Sequence, residues 1–313
     1  MIKSILLHLS MNMWEDSYPD SFNGMQTYMK DRAWSDKLQF DKGTWKRVLE
    51  HFSASGGNMV IIDVGDGVVF KSHPEIAVQG ALSREALRDE LKRCADLGLE
   101  AIPKLNFSSC HDAWMRDYSR MLSTPQYYAV CKDLIAETCE LFASPRFFHI
   151  GMDEETAAHQ QYYQYVVVRQ GELWWHDLNF YCAECARNGA RAWMWSDKIW
   201  HCLDEEFRRN VPANVLQSNW YYDGRFDLEN LNDARKTWIE AYLRLDRLGY
   251  EQVPAGSNWA CNTNYEGTVR FCEKHLDRQR LLGFMTAPWY TTEPHNEERL
   301  FAACDEVAAA HKQ

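Results

Sequence analysis

Short apolar runs, each typical of a buried strand, alternate along the chain with longer stretches in which apolar residues recur at helical spacing. Strands are predicted at residues 5–9, 59–64, 99–105, 146–150, 191–195, 215–220, 252–255 and 282–287. Helices are predicted at 45–52, 83–97, 126–142, 174–188, 231–248, 266–275 and 299–310. This alternation predicts an α/β fold, a single (β/α)8 TIM barrel over residues 1–313 without an accessory domain.

One predicted helix has clear signals at both ends. Ser83 is a typical N-cap residue, and Gly98 follows the last helical position. Glu85 and Glu90 are expected on the polar face of this helix, because the apolar residues occupy the other face.

A polar and aromatic segment at residues 11–39 separates the first strand from the first helix. It contains Trp14, Tyr18, Tyr28 and Trp34 and is predicted to be an extended loop. Long loops in compact domains usually carry function.

The fourth strand ends in three consecutive carboxylates. His149 precedes Asp153, Glu154 and Glu155 by a few positions. Carboxylates crowded at the end of an apolar strand repel one another and lose water, so the pKa of at least one should rise towards neutral pH. A proton donor beside an anion is what cleavage of a glycosidic bond requires. A solvated acidic loop that caps the next helix is the alternative interpretation.

Polar and aromatic residues follow the carboxyl ends of most of the predicted strands, which is the end of a barrel that carries the active site. They are Asn106, His111, His149, Asp153, Glu154, Trp195, Asp197, Trp220, Tyr221, Asp223, Trp259, Trp289 and Glu293. Their concentration at one rim favours a functional interpretation of the acidic stretch.

Composition indicates the class of ligand. Aromatic residues make up 13% of the chain, including 13 Trp, and several of these follow predicted strands. The flat C–H faces of sugar rings pack on indole rings, so a carbohydrate is the expected partner. Packing of Trp in a large core is the alternative.

Charge and hydropathy exclude other partners. The formal net charge of −11 argues against binding to nucleic acid or to an anionic membrane, because both require a basic surface. No apolar stretch approaches the ~20 residues of a membrane span. Residues 1–10 lack a small-residue cleavage site and are predicted to form the first strand, so a cytoplasmic location is expected.

The ten cysteines are scattered through predicted helices and are expected to be reduced core thiols. Cys182 and Cys185 have metal-ligand spacing, but they lie inside a helical pattern with no second pair nearby. We therefore predict neither a metal nor a cofactor.

The fourth-strand segment from Phe148 to Glu154 resembles the His-x-Gly-Gly-Asp-Glu signature of the family 20 glycoside hydrolases, the β-N-acetylhexosaminidases. Residues 104–111 with Trp114, 193–197 and 216–220 are similar to the family's third-, fifth- and sixth-strand motifs. The sequence also departs from the family. Met152 replaces a glycine, Lys104 and Asn106 replace third-strand acids, and the first strand lacks the family's sugar-binding arginine.

The resemblance implies a retaining glycoside hydrolase that acts on β-linked N-acetylhexosamine. The 2-acetamido oxygen of the substrate would be the nucleophile and an oxazolinium ion the intermediate. Glu154 would be the general acid and base, and Asp153 would orient the acetamido group. The expected substrate-binding residues are His111, His149, Trp195, Trp220, Tyr221, Asp223, Trp259, Trp289 and Glu293, with Tyr265 or Asn258 as alternatives for the tyrosine role.

Two other interpretations remain. One is a carbohydrate-binding barrel that has lost turnover, as the missing arginine suggests. The other is a metal-dependent barrel hydrolase with His111, His149 and Asp153 among its ligands. The first strand lacks the His-x-His pair that would favour the metal enzyme.

Overall fold

The computed structural model describes residues 1–16, 32–161 and 163–311. Tyr18 and Tyr28, in the predicted loop after the first strand, lie outside these residues. Trp14 and Trp34 of the same segment are described, and neither belongs to a strand.

Eight parallel strands form one sheet, in the order β6-β5-β4-β3-β2-β1-β8-β7. They are β1 Ile2–His8, β2 Met59–Asp63, β3 Glu100–Lys104, β4 Phe147–His149, β5 Arg191–Trp195, β6 Leu216–Ser218, β7 Ala255–Gly256 and β8 Gly283–Thr286. Single bridges from Gln217 to Gln252 and from Trp220 to Ala255 join the two edges of the sheet. The (β/α)8 barrel predicted from the sequence is therefore confirmed.

Eight α-helices are present among the described residues. They are α1 Lys42–Ala54, α2 Arg84–Asp96, α3 Pro125–Leu141, α4 Glu172–Arg187, α5 Asp204–Asn210, α6 Asp233–Arg247, α7 Asn264–His275 and α8 Glu297–Ala310. Helix α5 was not predicted, because its seven residues are too few to show a helical period. None of the described helices combines the length and apolar character needed to cross a lipid bilayer.

The core has two layers, because each strand is apolar on both faces. Side chains inside the barrel form a cluster that includes Leu6, Ile61, Ile102, Phe147, Trp193, Leu216, Val253 and Met285. A larger cluster between the strands and the surrounding helices includes Trp45, Leu134, Leu178, Tyr242 and Leu300.

A buried charged cluster lies at the carboxyl ends of β1, β2 and β3. His8, Asp63 and Lys104 are the last residues of these strands and are aligned in register. Lys104 is fully buried and forms an ion pair with Asp63, and His8 Nδ1 is 3.4 Å from the same carboxylate. Burial alone would raise the pKa of Asp63, but Lys104 and His8 outweigh it and hold this pKa below its usual value.

The prediction for Glu90 was wrong. Glu90 in α2 is only 1% exposed, and its carboxylate contacts Lys42 at 2.7 Å and Arg93 at 2.9 Å. An acidic residue can be buried when it pairs with cations from its own helix and from a neighbouring helix. The periodicity of the sequence does not show such partners.

Candidate active site

A cavity of about 140 Å³ opens at the carboxyl end of the barrel. An engineered cavity of ~150 Å³ takes up one benzene ring, so this volume suits a single six-membered ring. Its lining consists of Met13, Trp14, Arg32, Asn106, His111, Asp153, Glu154, Trp195, Trp220, Tyr222, Trp259 and Trp289.

Asp153 is held by side chains that follow β3. Asn106 Nδ2 donates a hydrogen bond of 2.8 Å to Asp153 Oδ1, and His111 Nε2 lies 3.3 Å from Asp153 Oδ2. Asp153 is 6% exposed, so little water competes for its oxygens. This carboxylate is therefore fixed in direction before any ligand arrives.

The backbone between β4 and the two carboxylates has an unusual conformation. Gly151, Met152 and Glu154 all have positive φ, at 71°, 79° and 54°. A Cβ at position 151 would lie 1.9 Å from Asn106 Oδ1, so only glycine fits there. Positive φ at Met152 and Glu154 stores strain of the kind that accumulates at functional sites. The resulting turn directs both Asp153 and Glu154 into the cavity.

Glu154 lies between two imidazoles. His111 Nε2 is 3.3 Å from Glu154 Oε2, and His159 Nε2 is 3.4 Å from Glu154 Oε1. Burial alone would raise the pKa of Glu154, but these two imidazoles outweigh it and hold that pKa well below its usual value. The interaction with Glu154 in turn raises the pKa of His159. The two shifts favour an ionised Glu154 beside a protonated His159.

Asp197 supplies the raised pKa that the crowded carboxylates led us to expect. It is 5% exposed, and its Oδ2 accepts a 2.9 Å hydrogen bond from the backbone N–H of Glu154. Burial, followed by the nearby charge of Asp153, raises the pKa of Asp197 to about 8. The sequence predicts this raised pKa within the acidic stretch, whereas the structure has it at a residue that follows β5.

Glu155, the third carboxylate of the stretch, has a structural role. Arg169 is 2% exposed, and its guanidinium donates to both oxygens of Glu155, at 2.8 and 2.6 Å. The same guanidinium contacts Asp177 in α4 at 3.0 Å and the carbonyl oxygen of Phe107 at 2.6 Å. Arg169 therefore joins the segment after β4 to the loop after β3 and to α4.

Aromatic rings form the walls of the cavity. The Trp195 and Trp289 rings are 5.8 Å apart, and the Trp220 and Tyr222 rings are stacked at 5.2 Å. Trp289 Nε1 donates a 3.1 Å hydrogen bond to the Tyr222 hydroxyl. The indole faces and the carboxylates thus meet in one hollow, and small-molecule sites commonly combine apolar walls with a few polar groups in this way.

Five of the residues expected to bind substrate line the cavity, and four do not. Those in the lining are His111, Trp195, Trp220, Trp259 and Trp289. His149 is fully buried beneath it, against the Trp195 ring at 4.7 Å, and its Nδ1 accepts the N–H of Gly151 at 3.1 Å. The imidazole that contacts both Asp153 and Glu154 is His111.

The other three lie outside the cavity lining. The Tyr221 hydroxyl donates to the backbone oxygen of Arg225, and the side chain is buried in the core. Asp223 pairs with Arg235 at 2.9 Å, and Glu293 precedes a short 3-10 helix. Tyr265, one of the alternatives, is also fully buried.

Several residues around the two carboxylates were not among the expected site residues. Tyr222 takes the place of its neighbour Tyr221, because the chain has left β6 and strand alternation no longer fixes side-chain direction. Arg32 and Trp14 come from the long segment after β1, whose aromatic content was the only signal. His159 lies in a 3-10 turn, and nothing in the sequence connects it with Glu154.

Three side chains of the site are also close enough together to bind one metal ion. One ligand atom each from His111, Asp153 and Glu154 lies within 4.8 Å of the others. His149, which the metal-enzyme interpretation included, does not belong to this group. Two carboxylates and an imidazole are a common ligand set for zinc and manganese.

No family model matches the chain, and no curated protein matches it. Solved structures do match it closely in fold. The exo-β-N-acetylglucosaminidase of Vibrio harveyi, a family 20 glycoside hydrolase solved with N-acetylglucosamine, is 16% identical with a TM-score of 0.64, over 98% of this chain and 54% of that one. The family 20 β-N-acetylhexosaminidase of Streptomyces coelicolor is 13% identical with a TM-score of 0.63, over 97% and 63%.

The β-N-acetylhexosaminidase of Bacteroides fragilis is 14% identical with a TM-score of 0.61, over 97% of this chain and 65% of that one. The chain thus spans between half and two thirds of the length of these structures. It has the (β/α)8 barrel of the family 20 β-N-acetylhexosaminidases, and the resemblance that we found in the fourth-strand sequence is confirmed at the level of the fold.

Proposed function

We propose that this protein is a retaining glycoside hydrolase that removes β-linked N-acetylhexosamine with the help of the substrate's own acetamido group. The observation that carries the proposal is the placement of Asp153 and Glu154. Both carboxylates reach one ring-sized cavity, each in contact with His111. The shared barrel with the N-acetylhexosaminidases supports the choice of substrate.

In the proposed reaction the acetamido oxygen attacks the anomeric carbon, and the bond to the leaving oxygen breaks. Glu154 delivers a proton to that oxygen, so the leaving group departs as an alcohol. Asp153 accepts a hydrogen bond from the acetamido N–H and offsets the positive charge of the oxazolinium ion. Glu154 then takes a proton from the water that opens this ion, which restores the starting state. Retention follows from two displacements at the same carbon.

The position of Glu154 explains how an acid with a lowered pKa can donate a proton. Glu154 and His159 together hold one proton, and in the free protein it lies on His159. Transfer across the 3.4 Å contact makes Glu154 the donor when a leaving oxygen arrives beside it. His159 is then a positioning residue that stores the proton, while Glu154 touches the substrate.

A chromogenic aryl β-N-acetylglucosaminide tests the proposal. Wild type should hydrolyse it. Glu154→Gln should reduce kcat/KM by about 10²–10⁴-fold, the usual contribution of general acid catalysis, and Asp153→Asn should also reduce it strongly. Glu293→Gln is the matched control, because this carboxylate lies outside the cavity lining. Wild-type protein without turnover, or equal activity in Glu154→Gln and Glu293→Gln, would contradict the proposal.

The same assay separates the proposal from a binding protein that has lost turnover. That alternative predicts that N-acetylglucosamine binds to wild type while no aryl glycoside is cleaved. The intact pair of Asp153 and Glu154 in the cavity favours the enzyme.

The cluster of His111, Asp153 and Glu154 gives the metal-dependent hydrolase one supporting observation. That reaction would stop when a strong chelator removes the ion. Hydrolysis by the proposed route needs no metal, so kcat/KM should be the same before and after dialysis against such a chelator.

A further inference from the structure

A second, larger hollow adjoins the first on the other side of Glu154. Its volume is about 520 Å³, within the ~300–1,000 Å³ typical of small-molecule sites. Glu154 and Trp220 line both hollows, so they form the boundary between the two. A ligand that lies across this boundary would place its glycosidic oxygen beside Glu154.

The walls of this second hollow are aromatic. Trp200 lies 4.6 Å from Trp220 and 5.5 Å from Trp238, measured between ring centroids, and all three rings line the space. Trp174 lines it as well. Indole rings at this density suit the C–H face of a further sugar ring.

The acidic groups in this lining are already compensated. Glu155 is paired with Arg169 at 2.6 Å, and Glu154 lies between two imidazoles. Asp197 is only 5% exposed, and its Oδ2 accepts the backbone N–H of Glu154 at 2.9 Å. The hollow is thus far less negative than its three carboxyl groups suggest.

Lys198 provides a positive charge in the same lining. Its Nζ lies 4.7 Å from the Trp174 ring centroid and 5.5 Å from that of Trp175. Among the described residues, this ammonium contacts two indole rings and no carboxylate comes within 4.0 Å of it, although the chain as a whole has a net charge of −11. A cation left without a carboxylate partner in an acidic protein suits an anionic group on the ligand.

We propose that the second hollow binds the leaving-group side of the substrate and that this part is a sugar ring carrying a carboxylate, which pairs with Lys198. The inference rests on the proposed function, because it takes Glu154 as the group beside the bond that breaks. It adds a substrate class, an N-acetylhexosamine β-linked to an acidic sugar.

Two disaccharides that differ in one group test this inference. In one, N-acetylglucosamine is β-linked to glucuronic acid, and in the other to glucose. Wild type should show a kcat/KM about tenfold higher for the acidic disaccharide, which corresponds to ~1.4 kcal/mol. Lys198→Met should bring the ratio of the two values close to one, and Lys198→Arg should keep most of the preference. Added salt should lower the ratio in wild type.

Equal values for the two disaccharides in wild type, or a ratio that Lys198→Met leaves unchanged, would overturn the inference. Failure of the proposed function gives a different result, since neither disaccharide nor an aryl glycoside would then be cleaved. In that case calorimetry decides the inference. Tighter binding of the acidic disaccharide, lost in Lys198→Met, would support it, and equal binding of both disaccharides would overturn it.

Discussion

At the residue scale, the two adjacent carboxylates have different surroundings although the chain separates them by one peptide bond. Asp153 receives a directed hydrogen bond from Asn106, whereas Glu154 is flanked by His111 and His159. The first arrangement fixes the direction of a hydrogen-bond acceptor, and the second places an imidazole beside each oxygen of the carboxylate. The proposed reaction needs these surroundings at the acetamido group and at the glycosidic oxygen, respectively.

The proton shared by Glu154 and His159 predicts a specific pH dependence. In wild type the pair loses its proton only above the ordinary histidine pKa of 6.5, because Glu154 raises the pKa of His159. His159→Gln leaves the proton on Glu154 alone, whose ordinary pKa is 4.5. The alkaline limb of kcat/KM should therefore move to lower pH by more than one unit.

His176→Gln is the control for this experiment, since His176 is exposed on α4. Its pH profile should match that of wild type. A profile of His159→Gln that overlays the wild-type profile would show that His159 holds no catalytic proton.

Side-chain chemistry allowed part of this site to be predicted. An acidic stretch after a buried strand indicated a carboxylate with a raised pKa, and beside that stretch the pKa of Asp197 is raised. The sequence could not show this, because the position depends on which strand end lies beside Asp153. Only the folded barrel brings the residues after β4 and β5 together.

At the element scale, one buried side chain joins the segment between β4 and α4 to two neighbouring parts of the chain. Arg169 joins Glu155, Asp177 and the carbonyl oxygen of Phe107. Since Glu155 directly follows Glu154, this arginine also limits movement of the turn that holds Asp153 and Glu154. Its role depends on three separate parts of the chain, and sequence periodicity gave no indication of it.

Arg169→Met should destabilise the fold by about 3–5 kcal/mol, because it leaves two buried carboxylates without their cation. Urea unfolding measures the change. Arg270→Met removes an exposed pair with Glu266 and should cost less than about 0.5 kcal/mol. Similar losses in the two variants would contradict the role assigned to Arg169.

The ends of the strands show where the hydrophobic pattern predicts an element's limits and where it does not. β5 begins and ends where predicted, because four consecutive apolar residues follow Arg191 in it. The prediction for the seventh strand began at Gln252, but the ladder is limited to Ala255–Gly256. Pro254 has no N–H to donate and interrupts the ladder, leaving Gln252 in isolated bridges.

At the scale of the whole molecule, the alternation of strands and helices was enough to predict the barrel, because each unit buries one apolar strand under one amphipathic helix. The same alternation does not show what fills the barrel's carboxyl end. There Lys104 and Asp63 form a buried ion pair between β2 and β3, directly below the region of the site.

Lys104→Met should lower the free energy of unfolding by about 3–5 kcal/mol, because Asp63 would remain buried with only His8 beside it. The double variant Lys104→Met with Asp63→Asn should recover much of the loss. Thermal or urea unfolding of wild type and of the two variants measures these free energies. A single variant as stable as wild type would show that the pair is unimportant for the barrel.

The central claim is that the substrate's own amide attacks above Asp153 and Glu154. Calorimetric binding of N-acetylglucosamine-thiazoline, which imitates the bicyclic intermediate, tests this claim most directly. The account predicts that the thiazoline binds at least ~10²-fold more tightly than N-acetylglucosamine and that Asp153→Asn removes most of this difference. Equal affinity for the two compounds in wild type would contradict it.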